Sequence, residues 1–449
     1  MEPTTLDQLA RLLTLQDANT RVVLVGATLL GIASAVVGAF AVLRRRSLVG
    51  DAVAHAALPG ICIAFFVVGD RNFAAFMLGA LVVGIAAVAF ISFVKAATRV
   101  KEDAAIAMAI GGFFGLGIVL SRVIQNEPSG NRAGLDSFIF GKAASMVSDD
   151  ARLIAIVAVG LLGAIALLYK EFKLLCFDRD FAASQGWPAQ ALDLLLMALV
   201  CICTVVGLPA VGVVLMVSLL VIPPAAARFW TDRLGVMVVL SGVFGGLAGA
   251  LGTALSATIP APASGLSRGW PTGPLITLVA AAVFLISLAV APRRGIVAAV
   301  LRRATLRRRI ARQNLLRRVY ETLEARGDLA AAWTPRDLSR DDGPAASRLA
   351  GQIAAARRAG LVVRSGAGLA LSPAGRAAAS RVVRAHRLWE IFLITQADIA
   401  SDHVDRDADQ IEHVLPPEML AALEAKLAQS GRLPLGVPAS PHATLGRAT

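Results

Sequence analysis

The sequence predicts an all-α polytopic membrane bundle of about nine transmembrane helices, with eight as the alternative. A cytoplasmic α+β winged helix and a helical metal-binding region are predicted to follow it. Two observations indicate this class. Hydrophobic residues make up 56% of the 449 residues and charged residues only 17%, far from the usual balance of soluble domains. The apolar residues also form runs of near-spanning length that stop at about residue 291, after which the chain is polar and basic.

Nine apolar runs approach the length of about 20 helical residues that a bilayer core requires. They are Val22–Leu43, Ala52–Val68, Phe73–Val94, Ala104–Leu120, Leu153–Tyr169, Ala189–Leu208, Val211–Phe229, Val236–Ile259 and Leu275–Ala291. Only Pro209 and Ala210 separate the sixth run from the seventh, so eight spans plus a broken one is the alternative count. Pro223 and Pro224 lie inside the seventh run and predict that its helix bends or breaks.

The charges of the loops orient the bundle. With nine alternating spans, one side receives Arg44–Arg46, Lys95–Lys101, Lys170–Arg179, Arg228–Arg233 and the chain from Arg293 onward. This is the more basic side, so it is predicted to be cytoplasmic, in a cell-membrane protein with its N-terminus outside and its tail inside. The run from Arg293 to Arg318 contains ten arginines and no acid, which is typical of a segment on anionic lipid headgroups. Nucleic-acid binding is the alternative.

Asp51 and His55 open the second apolar run and are the first candidate site. At i and i+4 on a helix they share one face about one turn apart, where a carboxylate and an imidazole can bind one divalent cation. The alternative is an ordinary aspartate at a helix start beside a structural histidine. Ionisable groups are costly inside a membrane span and mark pathways, which favours the metal site. Glu102 and Asp103 begin the fourth run, where stabilisation of the helix N-terminus is the favoured role.

The segment from Phe172 to Gly186 on the predicted cytoplasmic side mixes apolar and charged residues in an amphipathic helical pattern. Gly186 is a plausible end of that helix, which would suit docking to a soluble partner. The chain contains no phosphate-binding GxxxxGK[ST] motif, because Asp136 stands where the first glycine before Gly141 and Lys142 would be. We therefore expect another subunit to hydrolyse any ATP.

Five segments together resemble the membrane permease subunit of ABC importers for manganese, zinc and iron. They are RRRSLVGDAVAHAALPGI, EDAAIAMAIGGFFGLGIVL, GLDSFIFGKAASM, FDRDFAASQGWP and AVGVVLMVSLLVIPPAAA, in the family's order over roughly residues 20–294. The resemblance implies a homodimer or paired permease, a separate cytoplasmic ATPase and an extracytoplasmic solute-binding protein that delivers Mn, Fe or Zn. It places the intramembrane metal site at Asp51 and His55. It also implies that the loop bearing Asp178, Asp180 and Gly186 seats in the ATPase. An ATPase-independent metal carrier or exporter is the alternative.

The rest of the chain divides into three predicted segments after the permease domain of residues 1–294. A basic linker covers residues 295–312, a winged helix residues 313–380, and a helical metal-binding and dimerisation-like region residues 381–449. The winged helix is predicted from an amphipathic helix at Leu315–Leu323, a basic helix at Arg348–Ala359, and two short strands after Leu361.

The last region carries the second set of metal-ligand candidates. They are His386 and Glu390 at i and i+4, and Asp409, Glu412 and His413 at i, i+3 and i+4. Carboxylate-rich ligation of this kind favours Mn or Fe. The tail resembles metal-dependent repressors of the diphtheria-toxin-repressor and manganese-repressor type over roughly residues 313–428, and these five residues fall on that family's ligand positions.

Two departures from the repressor pattern leave the tail's metal chemistry open. Asp405 stands where the repressors have a histidine, and their first-helix ligands align with Asn314 and Arg317. The tail therefore keeps one metal site of the usual pair, or only the fold. Three roles follow as hypotheses: a metal-sensing domain that restrains transport, a membrane-tethered DNA-binding regulator, or a relic that helps the permease to dimerise.

Overall fold

The computed structural model describes residues 18–69, 72–126, 146–259, 270–338 and 346–396, together with residues 418, 421–422, 424–425 and 437–438. The chain divides into two compact units, Met1–Ala299 and Val300–Thr449. Each unit has its own buried apolar core.

Unit 1 is a bundle of helices. Its helices are α1 (Ala18–Leu43), α2 (Val49–Val68), α3 (Phe73–Ala97), α4 (Glu102–Asn126), α5 (Ser148–Leu167), α6 (Tyr169–Phe177), α7 (Arg179–Ser184), α8 (Ala189–Val211), α9 (Val213–Trp230), α10 (Leu234–Thr258) and α11 (Thr272–Val290). In the described part of the chain, nine of them are long and apolar enough to cross a membrane, namely α1–α5 and α8–α11. The predicted nine-span class is confirmed, and the chain is a multi-pass membrane protein.

Two details of the sixth and seventh spans differ from the expectation. Helix α8 continues through Pro209 and Ala210, and the break falls at Gly212 instead. Gly212 has φ 81° and ψ 169°, a conformation that side chains with a Cβ rarely adopt, so glycine decides the boundary. Helix α9 continues through Pro223 and Pro224, which are both buried against neighbouring helices. Of the two expected effects of these prolines, the break does not occur, and the bend stays a prediction.

Glycines allow neighbouring helices of the bundle to approach each other closely. A Cβ atom on Gly60 of α2 would lie 2.3 Å from the carbonyl oxygen of Gly79 on α3. In the same way, a Cβ atom on Gly31 of α1 would lie 2.3 Å from the carbonyl oxygen of Gly245 on α10. Such contacts between backbones are typical of helices that pack within a bilayer. The Gly60–Gly79 contact thus brings α2 close against α3.

Unit 2 combines helices with a small hairpin. Its elements are α12 (Ile296–Ala325, which begins just before the unit boundary), a 3₁₀ turn (Pro335–Leu338), α13 (Ala346–Arg358), β1 (Val362–Ser365), β2 (Gly368–Leu371) and α14 (Pro373–Gln396). The strands are antiparallel, with Val362 opposite Leu371 and Ser365 opposite Gly368. Buried residues from α12, α13, both strands and α14 form one core around Trp333. This order of elements is the predicted winged helix.

Candidate functional site

The turn between α1 and α2 places Asp51 at the start of the second span. Helix α1 ends at Leu43, Arg45 follows it with φ 58°, and the Arg46 N–H donates to the Ala41 carbonyl at 2.8 Å. This is the left-handed helix ending that glycine usually provides. Helix α2 then begins at Val49, so the Asp51 carboxylate lies in its first turn, where the helix dipole favours negative charge.

Asp51 and His55, the α2 pair, face each other along one side of the helix. The distance from His55 Nε2 to Asp51 Oδ1 is 3.4 Å, and the two side chains are 29% and 31% exposed. The edge of the His55 ring packs against Phe114 of α4, with 4.9 Å between ring centroids and 77° between planes. The pair therefore has the i, i+4 geometry that its spacing predicted, with room on one side for a further atom.

A cavity of about 420 Å³ opens beside this pair. Its walls come from α2, α4, α8 and α9, and its lining residues are Asp51, Ala54, His55, Ala57, Leu58, Ile61, Phe114, Leu208, Val213, Val214, Val217 and Ser218. No lysine or arginine lines it in the described part of the chain. The Ser218 hydroxyl donates to the Val214 carbonyl at 2.7 Å, which leaves its oxygen able to accept a contact. A carboxylate and an imidazole thus share an otherwise almost apolar cavity.

The α2 pair alone would be an incomplete metal site. Among the described residues, no group of three or more His, Cys, Asp and Glu side chains is placed to hold one ion. A transition metal requires at least four donors in most geometries, so a metal bound here would need further donors besides Asp51 and His55.

A cluster of buried ion pairs anchors the turn that leads into α2. Arg46 contacts Glu102 Oε1 at 2.8 Å and Asp193 Oδ2 at 2.6 Å, and Arg44 contacts Asp193 Oδ1 at 3.2 Å. Arg44 also donates to the Leu175 carbonyl of α6 at 3.0 Å. The sequence pattern did not predict this cluster, because loop arginines indicate only which side of the membrane a loop lies on. The available signal was Asp193, the one acid in the sixth apolar run.

The loop that contains α6 and α7 has a buried side and an exposed side. Phe172 and Leu175 are fully buried, and Phe172 packs on Phe40 of α1 with 5.8 Å between ring centroids. Three large apolar side chains of this loop are instead exposed: Phe177 at 68%, Phe181 at 50% and Trp187 at 44%. The loop is thus fixed to the bundle on one side and presents an apolar surface on the other.

Two short helices replace the single amphipathic helix that was expected here. Asp178 separates them and caps α7, since its carboxylate accepts from the Phe181 N–H at 2.8 Å. Asp180 follows on the exposed face. Gly186 ends the segment with φ 81°, as its predicted role at the helix end requires.

In unit 2, His386 and Glu390 form a second pair on α14, the α14 pair. His386 Nε2 lies 3.2 Å from Glu390 Oε1, and both side chains are almost fully buried. The Arg317 guanidinium of α12 lies against the same imidazole, with Nη1 at 2.9 Å from Nδ1 and 3.0 Å from Nε2. The structure therefore brings together His386, Glu390 and Arg317. Asp409, Glu412 and His413 lie outside the described residues.

A second ion pair joins the same two helices. Arg387 of α14 donates to Glu324 of α12, with 3.0 Å between Nη1 and Oε1. Burial disfavours the charged guanidinium and by itself would lower the pKa of Arg387. The Glu324 carboxylate stabilises the charged form more strongly, so the pKa of Arg387 lies above its usual value. The α12–α14 interface is thus rich in buried charge.

Arginines line a second cavity in unit 2, of about 840 Å³, between α12 and α13. Arg308, Arg309, Arg312, Arg348 and Arg358 contribute to its walls, and no acid does so in the described part of unit 2. A cavity of this charge is suited to a polyanionic partner.

Comparison with known proteins places both units. Residues 16–291 match the model of the ABC 3 transport family, and residues 372–439 match that of the iron dependent repressor metal binding and dimerisation domain. The manganese transport system membrane protein MntC of Bacillus subtilis is 36% identical over 436 residues, covering 97% of this chain and 98% of that protein. The zinc transport system membrane protein TroC of Treponema pallidum is 42% identical, covering 64% and 94%.

A solved structure adds the fold of unit 1. PsaBC from Streptococcus pneumoniae in complex with Fab matches with a TM-score of 0.53 and 30% identity, over 66% of this chain and 98% of that chain. The similarity to MntC of Bacillus subtilis extends over almost the whole length of both proteins, so it includes the tail.

Proposed function

Because the chain belongs to the ABC 3 transport family, we propose that it is the membrane permease subunit of an ATP-driven importer whose substrate is Mn, Fe or Zn. Its relatives include a manganese and a zinc transport system membrane protein. The observation that carries the proposal is the α2 pair, Asp51 and His55, beside a cavity with almost apolar walls in the membrane-spanning bundle. Ionisable residues in such surroundings mark the path of an ion.

The α2 pair binds the substrate ion through one carboxylate oxygen and one imidazole nitrogen. In an almost apolar cavity, the negative charge of Asp51 requires a compensating cation. No lysine or arginine among the described residues lines the cavity, so the metal ion supplies that positive charge. Donors beyond these two come from water or from a second permease copy, which fits a homodimer or a paired permease. Delivery of the ion falls to an extracytoplasmic solute-binding protein.

A separate cytoplasmic ATPase drives the cycle by docking on the loop with Asp178, Asp180 and Gly186. The exposed Phe177 and Phe181 of this loop supply an apolar docking surface. Arg44 connects the loop to the α1–α2 turn through the Leu175 carbonyl, so a displacement of α6 reaches the start of α2. This displacement opens the α2 pair towards the cytoplasm, and the ion is released on that side.

Uptake of radiolabelled Mn, Fe and Zn tests the proposal in cells that express this chain with its ATPase and solute-binding protein. We expect Asp51→Asn and His55→Ala each to reduce uptake at least about 100-fold, because each removes one of two protein donors. Asp103→Asn is the matched control, since it removes an exposed carboxylate from the start of α4 and should leave uptake near wild type. Undiminished uptake by Asp51→Asn would refute the site. Transport without an ATPase would favour the carrier or exporter.

The tail is proposed as a cytoplasmic regulatory domain that slows import when internal metal is high. A chain that ends at Arg312 should then transport metal but lose this feedback. The arginine-lined cavity favours a second candidate, a membrane-tethered DNA-binding regulator. Because DNA binding depends steeply on salt, the full-length chain should bind duplex DNA at low salt if this candidate is right. Lack of binding under those conditions excludes it.

A further inference from the structure

We propose that the His386–Glu390 pair of unit 2 is an arginine-filled site: the Arg317 guanidinium occupies the place of a metal ion and replaces it permanently. The pattern of the repressors, with a histidine and a glutamate at i and i+4, is present on α14. The residue that faces the pair from α12 is a cation where a ligand is required. The inference concerns unit 2 alone and does not depend on the proposed transport activity.

The Arg317 guanidinium fills the space beside the His386 ring. Arg317 Nη1 lies 2.9 Å from Nδ1 and 3.0 Å from Nε2, and a guanidinium has no lone pair that a metal could share. Nε2 also lies 3.2 Å from Glu390 Oε1. The imidazole thus lies between a guanidinium and a carboxylate. A metal ion bound to either ring nitrogen would meet the guanidinium within about 3 Å.

The triad of Arg317, His386 and Glu390 already contains a cation. Glu321 Oε1 lies 3.7 Å from Arg317 Nε, and Glu390 Oε1 lies 3.2 Å from His386 Nε2. The side chains of the triad are at most 12% exposed. A divalent cation added here would place two further positive charges against a buried guanidinium, and such like charges repel strongly in a low-dielectric interior. The residues present therefore do not fit a metal ion.

Arg317 also performs the structural task of a bridging ion. It lies on α12 and contacts a residue of α14, so it connects the first helix of the winged-helix unit to the last described one. The Arg387–Glu324 pair joins the same helices with its charges in the opposite direction. The packing of α12 on α14 is thus held by internal ion pairs. Any response of the tail to metal must pass through other groups, such as Asp409, Glu412 and His413.

Replacement of Arg317 by glutamate should convert the triad into a metal site. Arg317→Glu supplies a carboxylate beside His386 and Glu390 in place of the guanidinium. Asn314 is three residues earlier on α12, and its side-chain oxygen is buried with no hydrogen-bond partner among the described residues, so it offers a further oxygen donor. The experiment measures Mn²⁺ bound per full-length chain by equilibrium dialysis of purified protein in nanodiscs.

We expect Arg317→Glu to bind one more Mn²⁺ per chain than wild type, and the double variant with His386→Gln to lose that ion. Arg318→Glu is the matched control, because it makes the same charge change at the next residue of α12 and should add no ion. In wild type, His386→Gln alone should leave the bound Mn²⁺ unchanged. If that single substitution removes an ion, His386 already ligates metal and the inference is wrong.

A second measurement avoids substitutions at the triad. A cryo-EM map of the wild-type full-length chain in Mn²⁺ should show the Arg317 side chain against the His386 ring. Density for a metal ion between His386 and Glu390, with Arg317 turned away, would overturn the inference. The α2 pair serves as the internal reference in the same map, so failure of the transport site and failure of this inference give different results.

Discussion

The chain carries the same pair twice, a histidine and a carboxylate one turn apart on a helix, in two different surroundings. In the α2 pair, His55 and Asp51 are about 30% exposed beside a cavity, and no lysine or arginine lines that cavity in the described part of unit 1. In the α14 pair, His386 and Glu390 are almost fully buried, and Arg317 lies within 3.0 Å of both ring nitrogens. An internal arginine contacts the α14 pair, whereas no lysine or arginine among the described residues lines the cavity of the α2 pair. The positions of the arginines explain this difference.

Near the α2 pair, the arginines are bound to other acids. Arg44 and Arg46 lie a few residues before Asp51, yet their guanidinium groups contact Asp193 and Glu102. In unit 2, the nearest arginine contacts the pair itself. Under the two proposals above, a His–carboxylate pattern forms a metal site where the nearby cations have other partners. Where an internal cation contacts the pair, as in unit 2, the same pattern forms a structural link.

The test with the largest expected effect places an arginine beside the α2 pair. Phe114→Arg replaces the ring that packs 4.9 Å from His55 by a guanidinium of similar reach. We expect it to pair with Asp51 and to reduce metal uptake at least about 100-fold, because the ion then meets a charge already compensated. Radiolabelled Mn uptake measures the effect.

Phe114→Leu is the matched control for size, and it should keep most of the uptake. Membrane levels of both variants, read by immunoblot, show whether the arginine variant is made and inserted. If Phe114→Arg is inserted normally and still transports Mn, the presence of a cation does not decide between the two kinds of site.

A second test removes the carboxylate from each pair in turn and follows stability. Glu390→Gln removes the buried carboxylate that contacts His386 beside the Arg317 guanidinium, which should destabilise the tail by about 3 kcal/mol. Asp51→Asn removes a carboxylate that no internal cation contacts among the described groups, so the apo protein should be no less stable. Hydrogen–deuterium exchange reports both effects, because about 3 kcal/mol corresponds to roughly 100-fold faster exchange in α14.

The contrast between the two variants is the informative quantity. Equal acceleration in α2 and α14 would mean that both carboxylates are structural. No acceleration in α14 would mean that Arg317 does not depend on Glu390. Exchange in α5, which holds neither pair, serves as the reference within each sample.

The sequence predicted the architecture well where a local pattern decides it. The nine spans follow from apolar runs of sufficient length, and the hairpin of unit 2 follows from two short apolar segments around a glycine turn. Helix ends were less predictable, because the φ of Gly212 and the packing around Pro223 depend on neighbouring helices.

Local sequence patterns could not predict contacts between residues that lie far apart in the sequence. Arg44 meets Asp193 across 149 residues, and Arg317 meets His386 across 69. The alignment with the repressors marked Arg317 as a departure from their ligand set. Only the structure shows that its guanidinium lies at the imidazole. The sequence thus located both pairs but could not show that an arginine contacts only the second one.

The smallest expected effect belongs to Ser218, the one other polar residue among the described residues that line the cavity beside the α2 pair. Its hydroxyl donates to the Val214 carbonyl of the preceding turn, so its own helix already satisfies it. We expect Ser218→Ala to change Mn uptake by less than about twofold, because a neutral hydroxyl adds little to a site with a carboxylate and an imidazole. A loss as large as that of Asp51→Asn would make Ser218 a third ligand from the same chain. The α2 pair would then differ from the α14 pair by an added donor as well as by the missing cation.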